Sequence, residues 1–256
     1  SRKKAEFGVG IARMEDRYFQ TNIIDFSETK HDESTYSIFG GSIVLEGSTL
    51  NARQFATQGS REKMAAQIFT GTEHFRSGVS KVTKGTPEPY KKVQSWLQVS
   101  YQNETYHKVS PKFTLGAYLE AYYSSRNFSN NYTATLMQAG EFTPTAHSKV
   151  TYNEAFRANQ YAGVGTMPIY QLSESFQLRG EFYGFIPIFP IKKDEYGQAY
   201  YGKAFTKFEY LGEISLVFQL SFGSISAYVN HYSSPSNDWN VGLTLGWQLF
   251  NSRFVE

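Results

Sequence analysis

The feature that most constrains this chain is alternation. In the last clear segment, Val241, Leu243, Leu245, Trp247 and Leu249 occupy one parity, and Asn240, Gly242, Thr244, Gly246 and Gln248 the other. A period of two places these sets on opposite faces of a strand, whereas an amphipathic helix repeats its apolar residues every three to four positions. The pattern recurs upstream. Phe208, Tyr210, Ile214, Leu216, Phe218 and Leu220 oppose Lys207, Glu209, Glu213, Ser215 and Gln219, and Phe176, Leu178, Phe182 and Ile186 oppose Gln177, Arg179, Glu181 and Tyr183. Phe113 to Tyr122, Ser224 to Asn230 and Ala5 to Ala12 alternate in the same way. Weaker strand candidates are 36–48, 62–76, 94–106 and 156–170. The total is about ten to twelve antiparallel strands, an all-β chain.

Composition narrows the class. Of 256 residues, 17% are aromatic and 40% hydrophobic, too apolar for disorder. No run approaches the roughly 20 apolar residues of a transmembrane helix. The absence of Cys removes disulfides, Cys-based zinc sites and thiol catalysis, and suits passage through an oxidising periplasm. Twenty-five basic and 23 acidic residues, interspersed, argue against a nucleic-acid partner. Ser1-Arg2-Lys3-Lys4 is followed by no apolar core and is not a signal peptide. Either a signal has been removed or the chain is a piece of something longer. Residues 1–256 read as one domain.

A soluble sandwich or barrel also alternates, with its polar face outside. Two features favour a membrane barrel. Segments 205–222 and 176–190 exceed the usual five or six residues of a globular strand, and a tilted membrane strand needs about 9–11. The polar parity also carries mid-strand charges of both signs, which a large barrel places in its lumen. Aromatics near strand ends (Tyr18, Phe19, Tyr122, Tyr123, Tyr200, Tyr201, Tyr232, Trp239, Trp247, Phe250) fit interfacial girdles. Residues 233–238 and 173–175 read as short turns and 76–93 and 125–155 as long loops, so one rim is tight and the other long.

The run Phe142-Thr-Pro144-Thr-Ala-His147-Ser148-Lys149, with Phe156-Arg157-Ala158-Asn159-Gln-Tyr161-Ala-Gly163 and Pro168-Ile169-Tyr170, resembles the C-terminal outer-membrane barrel of bacterial patatin-like phospholipases. The hairpin Val217 to Tyr232, the closing strand Val241 to Phe250 and the tail Asn251-Ser-Arg253 resemble it too. Leu50 to Ser60 is similar to the Pro-Thr-x-Gly turn of the wider translocator-barrel superfamily, with Ala56 where Pro is usual. The resemblance implies a barrel that anchors, and helps translocate, an enzymatic domain lying earlier in a longer polypeptide. The Gly-x-Ser-x-Gly nucleophile turn of that enzyme is absent here, so no catalytic residue is carried over.

The relatives are expected to have about sixteen strands. Sixteen strands of roughly ten residues leave too little chain for the long loops, whereas ten fit. An open sheet in lipid costs several kcal/mol per unpaired backbone group. The chain therefore either closes as a small barrel or contributes to a sixteen-stranded one with strands from upstream of Ser1; the second is expected.

Candidate sites are few. His147 beside Ser148, with Asn153 or Glu154 near, has the residue types of a barrel hydrolase, but neighbours on a strand point to opposite faces. His31-Asp32-Glu33 carries metal-ligand types in a polar turn, and His74, His107 and His231 are scattered. No metal or cofactor site is expected. Pro144, His147, Lys149 and Arg157 suit a loop folded back against lumen carboxylates Glu120, Glu181, Glu209 or Glu213, with Arg157 or Arg179 pinning it to the wall. Asn240, Gly242, Leu245 and Trp247 fit the signal read by the barrel-assembly machinery.

The expected function is a non-catalytic outer-membrane barrel that holds a patatin-like phospholipase domain. Its expected partners are membrane lipid, the assembly machinery and an upstream lipase domain or other outer-membrane proteins. The alternatives are a stand-alone pore or barrel hydrolase, and a soluble β-barrel binding module.

Overall fold

The computed structural model describes residues 2–19, 31–78, 89–129, 132–221, 223–234 and 239–247. Ten strands form one antiparallel meander in which each pairs with its sequence neighbours. They are β1 Arg2–Tyr18, β2 Asp32–Ser48, β3 Gly59–Arg76, β4 Tyr90–Lys108, β5 Phe113–Ser124, β6 Gln160–Gln171, β7 Phe176–Pro187, β8 Glu209–Leu220, β9 Gly223–Tyr232 and β10 Trp239–Trp247. Two further ladders are short, 140–141 with 157–158 and 191–193 with 199–201. Among the described residues one α-helix, Tyr132–Gln138, lies between β5 and β6. β1 and β10 end the strand order, and no ladder among the described residues joins them.

Strand lengths depart from expectation in an informative way. Three of the four weaker candidates, β2, β3 and β4, are strands of 17 to 19 residues, and β1 has 17, whereas the fourth candidate is β6 with 12. The parity of β2, β3 and β4 blurs because they extend past the apolar band into stretches polar on both faces, such as Ser60-Arg61-Glu62-Lys63. By contrast β8 and β7 are 12 residues each; 205–208 and 188–190 are connections. At 12 residues β7 and β8 still exceed the usual five or six of a globular strand, and the longest strands are the N-terminal ones. The end of the expected last strand, residues 248–250, Phe250 and the tail at Asn251 to Arg253 lie outside the described residues, as does Ser1.

Connections sort by rim as expected, with one correction. The short ones, 109–112, 172–175 and 221–222, share a rim with 49–58, while the opposite rim carries the longer connections 125–159 and 188–208. The turn after Tyr232 lies on the long rim; of it only Ser233 and Ser234 are described.

Burial is inverted relative to a water-soluble barrel. In β5, Leu115, Ala117, Leu119, Ala121 and Tyr123 are exposed while Thr114, Tyr118 and Ser124 are buried. In β7, Phe176, Leu178 and Phe182 are exposed while Gln177, Arg179 and Glu181 are buried. In β8, Tyr210, Ile214 and Leu216 are exposed while Glu209, Glu213 and Ser215 are buried. The alternation read from the sequence is therefore two faces with reversed solvation.

The buried face is covered from both rims. Residues 49–58 fold under it from the short rim, and 125–159 from the long rim. The inward parity is not wholly polar: Tyr118, Tyr161, Met167, Ile169, Tyr183, Phe185 and Leu211 form a core with Phe142, Ala155, Phe156 and Ala158 of the long connection. Aromatic packing organises it, with Phe142 stacked on Phe185 at 5.6 Å and edge-on to Tyr161 at 6.0 Å. Gly163 makes room for that ring, since a Cβ there would lie 2.1 Å from Phe142 Cε2. At Gly212, on the outward face, a Cβ would meet nothing nearer than 3.6 Å. We expect Gly163→Ala to destabilise the fold by about 1–3 kcal/mol through overpacking and Gly212→Ala to fold normally. Urea midpoints of the purified proteins measure the difference.

Candidate functional site

The site worth describing is the polar interior, where the charges singled out in the sequence come together with the two inward segments. Alternation alone puts them there: Arg179 and Glu181 share a parity on β7, Glu209 and Glu213 share one on β8, and Glu213 pairs directly with Glu181 across the ladder.

Arg179, 2% exposed, sits at its centre. Its Nε donates to Glu181 Oε1 at 2.9 Å, and Nη1 donates to the Ala56 carbonyl at 2.8 Å and to Gln177 Oε1 at 3.2 Å. Nη2 donates to Tyr106 Oη at 3.3 Å. Glu181 Oε2 accepts from Tyr183 at 3.0 Å. A buried guanidinium is tolerated only when paired and hydrogen-bonded. Gln177 and Gln219 add bonds to the carbonyls of the same turn, at 3.3 and 3.2 Å from Phe55 O. These bonds hold Phe55 at a φ of 53°, a left-handed conformation unusual for an aromatic residue.

The expectation that Arg157 or Arg179 pins the long connection to the wall is corrected. Arg179 holds the turn 49–58. Arg157 bonds within its own connection: its guanidinium is 2.8 Å from Glu141 Oε1, donates to the Leu136 and Met137 carbonyls and lies over the Tyr152 ring. Contact with the wall falls to other residues. His147 Nδ1 is 2.6 Å from Glu213 Oε1, and its ring stacks on Tyr228 at 3.6 Å. Glu120 accepts from Tyr161 at 2.6 Å and from Tyr118, and the Tyr161 hydroxyl lies 3.0 Å from the Glu141 carbonyl oxygen of the connection. Glu209 accepts from Ser233 and lies 3.4 Å from Lys207.

Sequence reasoning missed a second anchor. Arg126, just past β5, lies over Trp96 at 4.5 Å and Tyr36 at 5.2 Å. Nearby, Glu73 accepts from Tyr36 at 3.2 Å, Tyr90 at 2.5 Å and Gln94 at 2.8 Å. The available signal was Glu73 and Gln94 on the inward parity of β3 and β4. Burial lowers the pKa of Arg126, and it pushes the Tyr132 hydroxyl, in the connection's helix, up to about 12.

His147 and Ser148 do not share a site. Ser148 bonds to Thr145 in its own turn. Asn153 caps the turn at Ala155 and donates to the Ser234 carbonyl, and Glu154 is exposed. His147 Nε2 instead faces Ser226 Oγ at 3.3 Å, giving the order serine, histidine, carboxylate found in hydrolytic triads. Here it is a closed arrangement: Ser226 is 1% exposed and Tyr228 covers the imidazole. The loop that would have to move to admit a substrate carries the base away with it.

Asp32 accepts from the Gly78 amide and Glu33 pairs with Arg76, so both are engaged structurally. Among the described residues no group of His, Asp and Glu is placed to hold a metal ion. Asn240, Gly242, Leu245 and Trp247 lie on the edge strand β10, with Leu245 on the exposed apolar parity. His231 stacks with Tyr210 on the outward face and packs on Trp239. These residues line part of an outward apolar groove of about 570 Å³ with Phe182, Gly184 and Gly212. Comparison with protein-family models, with curated proteins and with solved structures finds no match to this chain.

We expect Arg179→Met to cost about 3–5 kcal/mol, because it leaves Glu181 buried without its cation, and expect Arg179→Met with Glu181→Leu to recover most of that loss. Urea midpoints of the single and double variants give the comparison.

Proposed function

We propose that this chain is a transmembrane β-barrel domain of a bacterial outer membrane, with a plugged interior, serving as the anchor of a passenger domain. One observation carries the reading: strands such as β5, β7 and β8 expose their Leu, Ile and Phe parity and bury the parity that carries Arg, Glu, Gln, Ser and Thr. Soluble monomers rarely expose contiguous apolar patches above a few hundred Å², and here the exposed parity runs across all ten strands. Lipid is the solvent for which such a face is favourable.

Further features agree with it. Between Tyr210 and Phe218 the outward parity of β8 spans eight residues, about 26 Å along the strand, the scale of the apolar band of a tilted membrane strand. That band ends in aromatic groups, Tyr210, His231 and Trp239 towards the long rim and the stacked pair Phe176 and Phe218, 4.5 Å apart, towards the short one. On β1 the outward residues pass from Phe7, Val9 and Ile11 to Arg13, Glu15 and Arg17. The free edges of β1 and β10 must pair in lipid, either with each other or with further strands of a larger barrel. A patatin-like lipase as passenger rests on the resemblance of residues 142–170 and 217–250, and the barrel itself is read as non-catalytic.

The chain lacks cysteine, so single-cysteine probing is clean. Ile214→Cys and Leu216→Cys, reconstituted in liposomes, should resist a membrane-impermeant maleimide and react after detergent is added. Glu15→Cys should react throughout. The folded protein should also migrate faster unheated than boiled on SDS gels. Aqueous labelling of the Ile214→Cys and Leu216→Cys variants in liposomes, or a monodisperse chain in detergent-free buffer, would falsify the reading.

A further inference from the structure

The two edges of the sheet are alike. On β1 the outward residues Phe7, Val9 and Ile11 are 78% to 85% exposed, and on β10 Val241, Leu243 and Leu245 are 66% to 82% exposed. Inside the sheet, Ile43 of β2 and Ile225 of β9 are 46% and 41% exposed. Each edge thus carries three apolar residues that lack a neighbour on one side.

The sheet is also curled. Ser224 Oγ of β9 donates to Gln54 Oε1, in the turn after β2, at 3.1 Å, and a Cβ at Gly246 of β10 would lie 2.6 Å from the same oxygen. From Ser48, the end of β2, six residues of chain lead to Gln54, at most about 22 Å. Around the sheet, β2 and β10 are eight strand spacings apart, about 38 Å. In a barrel of sixteen strands β2 and β10 would stand on opposite walls, whereas in one of ten β1 alone separates them.

The ladders then set a register. Paired residues followed around the sheet run from Arg2 through Ser48, Arg61, Glu104, Tyr118, Gly165, Tyr183 and Leu211 to Tyr232, from the short-rim end of β1 to the long-rim end of β9. Val9, the middle of the apolar band on β1, lies seven residues from Arg2 towards the long rim. Ala227, its middle on β9, lies five from Tyr232 towards the short rim, so the band slips by seven and five, about twelve residues, against the ladders. Twelve residues of about 3.3 Å across ten strands about 4.8 Å apart is a tilt of about 40°, inside the range of membrane barrels. Ala227 pairs with Leu243, so a level band sets Leu243 beside Val9.

We propose that β1 and β10 pair with each other, Val9 opposite Leu243, and close these ten strands into a barrel without strands from elsewhere. Phe7 then stands opposite Leu245 and Ile11 opposite Val241, so each band residue gains the neighbour it lacks. Arg13 comes opposite Trp239, where the band ends towards the long rim. Inward, Gly8 and Gly10 come opposite Thr244 and Gly242, so no bulky pair meets at the seam beside the turn 49–58. This closure rests on the transmembrane reading above.

The chain has no cysteine of its own, so disulfides can report the register. Facing residues of an antiparallel pair have Cα atoms about 4.5–5.5 Å apart, within disulfide reach, and diagonal ones about 7–8 Å, beyond it. In the full chain in liposomes, oxidised with copper phenanthroline, Val9→Cys with Leu243→Cys should form an intramolecular disulfide about tenfold faster than Val9→Cys with Val241→Cys or with Leu245→Cys. Ile11→Cys with Val241→Cys tests the same register at a second position. Peptide mapping identifies the linked residues, and a heat-modifiable gel band certifies that each variant is folded. Disulfide-linked dimers in place of a linked monomer would give the edges to a second copy and overturn the closure. A faster shifted pair would overturn the register, and folded variants that never cross-link would assign the edges to other strands. A chain without a heat-modifiable band would instead overturn the transmembrane reading.

Discussion

A sheet that turns its oily parity outward gives up the usual source of cohesion and must find another inside. Here the inside is held by paired charge and by two segments of the chain folded onto the concave parity. Arg179 is the clearest case, since its donors reach Glu181, Gln177, Tyr106 and the backbone of a turn more than a hundred residues away in sequence. The low dielectric of such an interior raises the stakes: a satisfied network rigidifies, and a half-satisfied one strains.

The two inward segments are held in different ways. The turn 49–58 is bound through backbone carbonyls that have donors in the wall. Residues 140–159 are bound by aromatic packing, by Tyr161 between Glu120 and the Glu141 carbonyl, and by one short His147 contact to Glu213. Gly163 belongs to the same logic, because the close approach of Phe142 is possible only where the wall has no side chain.

The sheet was legible in the sequence because a period of two survives any tertiary arrangement. Faces could be assigned on β5, β7, β8 and β9 residue by residue, and Glu120, Glu181, Glu209 and Glu213 do lie on the inward side. The long N-terminal strands were harder to read, since their ends, such as Ser60 to Lys63, are polar on both faces and carry no alternation. Side-chain partners were least legible. Whether an inward Arg meets a loop or a turn depends on how two connections fold in space, and nothing local to Arg157 or Arg179 encodes it. Arg126 escaped notice because its site is made of Tyr36 and Trp96, two ordinary strand aromatics until the connection lays a cation between them.

The even number of strands in the meander fixes a direction. β1 begins and β10 finishes at the side where the connections are shortest, so polypeptide joined to either terminus of the ladder starts from that one side. For such a chain to arrive at the opposite side along the buried face, both the turn 49–58 and the long connection after β5 would first have to vacate it. With both inward segments seated, the two ends of the ladder open onto one and the same bank of the sheet.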